Sequence, residues 1–140
     1  MTRFLSGMLY GFLLLASYGT AQAEVREIDN QALLEMQFGS AKIIDVRRLD
    51  EWKSTGMLQG SHGITFFDER GNYDVNGWLA ALAELTGPDE PIVLICARGI
   101  RSSKIAQLLD THYGFSAVHN VTDGIHAWLR SGHPVVPYTP

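Results

Sequence analysis

Pro91-Ile92-Val93-Leu94-Ile95-Cys96-Ala97-Arg98-Gly99-Ile100-Arg101-Ser102 is the stretch on which the reading of this chain turns. Its first half is an unbroken apolar run between turn signals, the pattern of a strand buried on both faces of a parallel sheet. Its second half is a short loop holding the chain's one cysteine, followed by a helical pattern from Ser102 to Tyr113 with Gly114 as its stop.

Outward from it, strands and helices alternate. Val25–Ile28 alternates apolar and polar residues, as an edge strand does. Asp29 or Asn30 can cap a helix over Gln31–Phe38, which Gly39 ends. Ala41–Val46 reads as a strand, Asp50–Thr55 as a short helical turn, and Gly56–Gly63 as a loop leading into Ile64-Thr65-Phe66. Trp78, Leu79, Leu82 and Leu85 give a helix over Asn76–Leu85. Ala117–Val121 is a further strand and Ile125–Ser131 a last helix. This alternation indicates an α/β fold with a mainly parallel sheet, and in such sheets ligands bind beyond the carboxyl ends of the strands. Cys96 sits at such an end.

Composition narrows the classes. One cysteine in 140 residues excludes a disulfide-stapled scaffold, a Cys-rich zinc module and a Cys-x-x-Cys redox protein. Eleven Lys+Arg against fifteen Asp+Glu, with no basic run, argues against nucleic acid as a partner. The five histidines show no metal-ligand spacing, so no metal is expected. No Walker or Gly-rich nucleotide motif is present. Asn120-Val121-Thr122 matches a glycosylation acceptor but runs out of a buried strand, and is discounted.

The first 23 residues differ from the rest. No charge appears between Arg3 and Glu24, the intervening stretch is apolar, and it ends in Ala21-Gln22-Ala23. That is the pattern of a secretory signal peptide cleaved after Ala23. The stretch is diluted by Gly7, Gly11, Ser17 and Gly19, which disfavours a spanning helix. The expected product is one domain, residues 24–140, periplasmic or secreted, with no stable membrane insertion after cleavage. Export would put a lone, exposed thiol in an oxidising compartment with no partner cysteine in its own chain.

The loop carries chemistry. Its backbone N–H groups and the following helix N-terminus face whatever occupies it, and both favour negative charge. Gly99 allows the positive φ of a tight cradle. Arg98 and Arg101 add permanent positive charge. A thiol so placed is favoured as a thiolate, the nucleophilic form. Asp45 and Arg47 are read as a structural ion pair supporting the loop, Glu51 and Trp52 as holding the adjoining segment, and Trp128 as core.

Taken together, these residues resemble the single-domain rhodanese-like sulfurtransferases. Cys96, Gly99, Arg101 and Ser102 match the family's Cys-x-x-Gly-x-Arg-Ser loop. Ile43-Ile44-Asp45-Val46-Arg47, Glu51-Trp52 and Gly56-Met57-Leu58-Gln59-Gly60-Ser61 are similar to its upstream motif, and Asp123-Gly124 through Trp128 to Gly132-His133-Pro134 to its carboxy-terminal one. Met57 replaces the usual His, Ser61 the usual Ala, and Asp123 the first glycine of a pair. Asp tolerates left-handed backbone better than most residues, and a carboxylate there would bear on substrate preference.

The resemblance implies a five-stranded parallel sheet between helix layers (α/β/α). It also implies a Cys96 persulfide loaded from a small anionic donor such as thiosulfate and discharged to a thiophilic acceptor, with no metal or organic cofactor. Cys96 would be the nucleophile, and Ala97, Arg98, Gly99, Ile100, Arg101 and Ser102 the substrate-binding loop. Two other readings stand beside it. Phosphatase or arsenate reductase sites use Cys-x5-Arg, one residue longer than the Cys-x4-Arg here, and an arsenate reductase often needs a second cysteine. A persulfide carrier without turnover would share the same loop.

Overall fold

The computed structural model describes residues 24–140; the signal peptide expected over 1–23 lies outside the described residues. Among the described residues ten elements alternate. They are β1 (Arg26–Ile28), α1 (Asn30–Met36), β2 (Lys42–Asp45), α2 (Leu49–Thr55), β3 (His62–Gly63), α3 (Val75–Ala83), β4 (Ile92–Ile95), α4 (Ile100–His112), β5 (Val118–Val121) and α5 (Gly124–Arg130). All four strand pairs are parallel and the sheet order is β1-β5-β4-β2-β3, so β4 is central and β1 is an edge.

The period of two along β4 divides the core. Ile92, Leu94 and Cys96 turn to one side, where Trp78 and Leu82 of α3 and Ile105, Ala106 and Leu109 of α4 cover them. Val93 and Ile95 turn to the other, against Leu33 of α1 and Ile125 and Trp128 of α5. The result is the three-layer α/β/α arrangement. Ile92 through Ile95 are fully buried, and each such side chain contributes about 1.5–3 kcal/mol over leaving it in water.

Helix starts follow local chemistry. Asp29 Oδ1 accepts from the Ala32 N–H at 2.9 Å and Asp74 Oδ1 from the Gly77 N–H at 3.0 Å, each answering a donor that the first turn leaves without a partner. Several boundaries differ from the sequence reading. Residues 37–38 fall outside α1, which stops at Met36, and α3 stops at Ala83 rather than Leu85. β3 lies inside the segment read as loop; with two residues it has no periodicity to detect, and only its pairing with Ile44 and Asp45 defines it. α4 begins at Ile100, two residues before the expected Ser102. Gly99 takes φ +86° as its N-cap, which reverses the chain early enough for the helix to start at once.

Asp123 does not use the left-handed backbone that Asp tolerates: its φ is −100°, ordinary right-handed backbone, and the left-handed residue is Gly124 at φ +66°. Trp128 is fully buried, as expected of a core residue, and its Nε1–H donates to the Pro134 carbonyl at 2.9 Å. Asn120 is buried, in keeping with discounting the glycosylation match. Among the described residues no helix is long and apolar enough to cross a membrane.

Candidate active site

β4 delivers Cys96 to the carboxyl end of the sheet, and the chain turns within Cys96–Gly99 to enter α4. Cys96 is 1% exposed, so the exposed thiol expected from the sequence is instead a recessed one. Three donors surround its sulfur. The Gly99 N–H lies 3.2 Å from Sγ, the Ser102 N–H 3.5 Å and the Ser102 hydroxyl 3.2 Å. Donors aimed at one atom, with a thirteen-residue helix starting beneath it, favour negative charge on that atom. This is the cradle that the sequence suggested, with one addition: the Ser102 side chain takes part along with the backbone.

The cradle is held from three sides. Gly99 packs so tightly on the end of β5 that a Cβ would overlap the Thr122 carbonyl. From above, the N-terminus of α5 clamps the loop. The Ile125 N–H donates to the Cys96 carbonyl at 2.9 Å and the His126 N–H to the Ala97 carbonyl at 3.0 Å. A Cβ on Gly124 would collide with the Ala97 carbonyl, so only glycine allows this approach. The sequence reading missed this clamp; the signal was the glycine retained at the second position of the terminal pair.

From the β2 side comes an electrostatic brace. Arg101 does not turn into the cradle. Its two terminal nitrogens donate to Glu51 Oε2 at 2.9 Å and Oε1 at 2.7 Å, a bidentate pair linking α4 to α2. Burial alone would raise the Glu51 carboxyl, but the Arg101 hydrogen bond, the Arg48 N–H at 3.0 Å and both guanidinium charges lower it to about 2. Arg101 is held above its ordinary value, first by the hydrogen bond to Glu51. Glu51 thus holds the cysteine loop itself, besides the adjoining segment.

Beneath this brace, Asp45 and Arg47 are both fully buried. Asp45 accepts from Arg47 Nε at 3.0 Å and Nη2 at 2.8 Å, while the guanidinium also reaches Thr55 Oγ1 at 2.8 Å and the Gly56 carbonyl at 2.9 Å. The ion pair expected of them is present, and it ties β2 to the C-terminal end of α2, the helix whose first turn carries Glu51.

Of the other loop residues, Ala97 is buried, while Arg98 and Ile100 are exposed. The sequence offered two cations to an incoming anion. The folded loop leaves Arg98 without an ion pair among the described residues and commits Arg101 to Glu51. Among the described residues no group of His, Cys, Asp or Glu is arranged to hold a metal ion.

Residues 29–131 match the family model described as Rhodanese-like domain. The chain is 31% identical over 111 residues to the thiosulfate sulfurtransferase GlpE of Glaesserella parasuis, covering 75% of this chain and 86% of that protein. It is 40% identical over 47 residues to the thiosulfate sulfurtransferase GlpE of Actinobacillus pleuropneumoniae, 34% of this chain and 43% of that protein. Among solved structures, a rhodanese-related protein from Thermoplasma volcanium superposes with a TM-score of 0.59 at 27% identity, covering 79% of this chain and 97% of that one.

Proposed function

This chain belongs to the rhodanese-like family of sulfurtransferases, and from that position we propose that it moves a sulfane sulfur from thiosulfate to a thiophilic acceptor through a persulfide on Cys96. The observation that carries the reading is the set of three donors converging on Cys96 Sγ. In the first half, the Cys96 thiolate attacks the outer sulfur of thiosulfate. An S–S bond forms to Sγ, the bond within thiosulfate breaks, and sulfite leaves with the electron pair. In the second half, an acceptor nucleophile attacks the outer sulfur of the persulfide, and the pair returns to Sγ.

The same donors serve both halves, because the negative charge stays close to the cradle throughout. The Ser102 hydroxyl and the Gly99 N–H hold Sγ when it is the leaving group. The exposed, positively charged Arg98 raises the local concentration of an anionic donor. The relatives named for thiosulfate support the choice of donor. The short Cys-x4-Arg loop supports sulfur over phosphate, since its arginine braces α2 rather than lining an oxyanion site. The reading also includes export: residues 1–23 act as the signal, which N-terminal sequencing of the product from a secreting host checks.

The test is thiocyanate production from thiosulfate and cyanide by the chain and by Cys96→Ser. Turnover lost in Cys96→Ser is expected. Absence of thiocyanate from the unsubstituted protein overturns the reading, and a single loading of sulfur without cycling identifies a carrier.

A further inference from the structure

Gly99 supplies one of the three donors at Cys96 Sγ, and its backbone is the least able to hold itself in place. It sits at φ +86° and ψ −8°, a conformation that glycine enters readily and leaves as readily. The direction of its N–H, 3.2 Å from Sγ, is therefore set from outside. The α5 clamp does not set it, since those hydrogen bonds end on the Cys96 and Ala97 carbonyls, before the glycine. Past them, two donors converge on the Gly99 carbonyl. One is the Ser103 N–H at 3.1 Å, an ordinary bond of the first turn of α4. The other is the side-chain amide of Asn120 at 3.4 Å, which reaches over from β5.

Asn120 is 2% exposed. Its Nδ2 carries two hydrogens and both are used, one toward the Gly99 carbonyl and one to Glu27 Oε2 at 2.8 Å. Glu27 stands opposite Asn120 in the register of β1 and β5, and also receives Thr122 Oγ1 at 2.8 Å. A turned amide would set its oxygen against both acceptors, so the orientation is fixed. It leaves Oδ1 buried without a donor, an uncommon state for a buried acceptor. Val118 and Val121 on the same strand are buried too, and a leucine at position 120 would fill a similar space with no orphaned oxygen. Stability therefore does not account for an amide here; its two donations do. A line of hydrogen bonds runs from Glu27 at the sheet edge through Asn120 to Gly99, whose N–H meets the sulfur.

We infer that Asn120 is a positioning residue for the sulfur transfer, aiming the Gly99 N–H at Cys96 Sγ by way of the Gly99 carbonyl, with Glu27 aligning Asn120 in turn. This rests on the sulfurtransferase reading. Only the φ and ψ of Gly99 itself separate the carbonyl that is held from the N–H that acts. During loading that N–H favours the thiolate that attacks, and during discharge it faces the electron pair returning to Sγ. Loss of Asn120 should therefore slow both halves together. KM for thiosulfate, which is expected to follow Arg98, should stay in place.

The experiment compares Asn120→Leu, Glu27→Ala and Glu27→Gln with the unsubstituted chain, in rates per folded protein and alongside urea unfolding. At saturating thiosulfate Asn120→Leu should load sulfur, and then discharge it to cyanide, about tenfold more slowly, the low end for one hydrogen bond to a charged atom. Its KM for thiosulfate should stay within about twofold and its urea midpoint should not fall. Glu27→Ala should slow both steps. Glu27→Gln, whose amide oxygen can accept the same two hydrogen bonds, should recover at least about half of that loss. Unchanged rates in Asn120→Leu, a loss of rate that follows the urea midpoint, or Glu27→Gln no faster than Glu27→Ala overturns the inference. If Asn120→Leu does not fold, the two Glu27 variants decide. Hydrogen exchange of the Gly99 amide reads the same variants with no sulfur donor present, and should quicken at least about tenfold in Asn120→Leu. Equal exchange overturns the inference by itself. A chain that makes no thiocyanate sinks the sulfurtransferase reading instead.

Discussion

Glu51→Gln tests the brace that holds the cysteine loop, since it keeps the side chain's shape and removes its charge. In the folded protein Glu51 receives both ends of Arg101 at 2.7 and 2.9 Å and the Arg48 N–H at 3.0 Å. Against the cost of burial, these contacts lower its carboxyl from 4.5 to about 2. A carboxyl that is more acidic in the folded than in the unfolded chain adds stability wherever it is ionised in both states, and that stability is lost as protons return. The gap from 4.5 to about 2 corresponds to roughly 3 kcal/mol. The side chain is 21% exposed, and solvent screening brings the expected contribution to about 2 kcal/mol. Urea unfolding at pH 7 should therefore show Glu51→Gln about 2 kcal/mol less stable than the unsubstituted protein. The difference should shrink as pH falls from 4.5 toward 2, with about half gone by pH 3. No difference at pH 7 would refute the brace. A difference of undiminished size at pH 3 would show that packing rather than charge is responsible.

Other perturbations follow from the same geometry. Asp45→Asn leaves the Arg47 guanidinium buried without its counter-charge, and should cost about 3–5 kcal/mol in urea or thermal unfolding; a loss under about 1 kcal/mol would contradict a pair of this burial. Gly124→Ala places a Cβ 2.5 Å from the Arg98 nitrogen at a positive φ, so sulfur loading of Cys96 should slow at least about tenfold. Loading at the unsubstituted rate would show that the α5 clamp does not set the loop. Arg98→Ala should raise KM for thiosulfate and flatten its dependence on salt; unchanged values at low ionic strength would deny Arg98 a steering role.

The fold was legible because its signals are local. The apolar run ending at Cys96 announced a central buried strand, and Trp78, Leu82, Ile105 and Leu109 stood at helical spacing on elements that now cover one face of it. What escaped the sequence depends on contacts between distant segments. β3 is two residues long and exists through its pairing with β2. Arg101 looked free for substrate because its partner, Glu51, lies fifty residues earlier. Cys96 looked exposed because its placement at a strand end says nothing of how α5 closes over the loop; the hydrogen bonds from Ile125 and His126 do. Asp123 stands where a left-handed residue would be tolerated, but only Gly124 meets the Ala97 carbonyl and takes the left-handed turn, and that contact has no local signal.

The central claim is that Cys96, within its three donors, is the atom that carries the sulfur. Intact mass spectrometry of the non-reduced protein after brief exposure to thiosulfate tests this most directly. The account predicts a gain of one sulfur atom per chain, discharged by cyanide and absent from Cys96→Ser. A chain that gains no sulfur, or a Cys96→Ser variant that still gains it, would contradict the account.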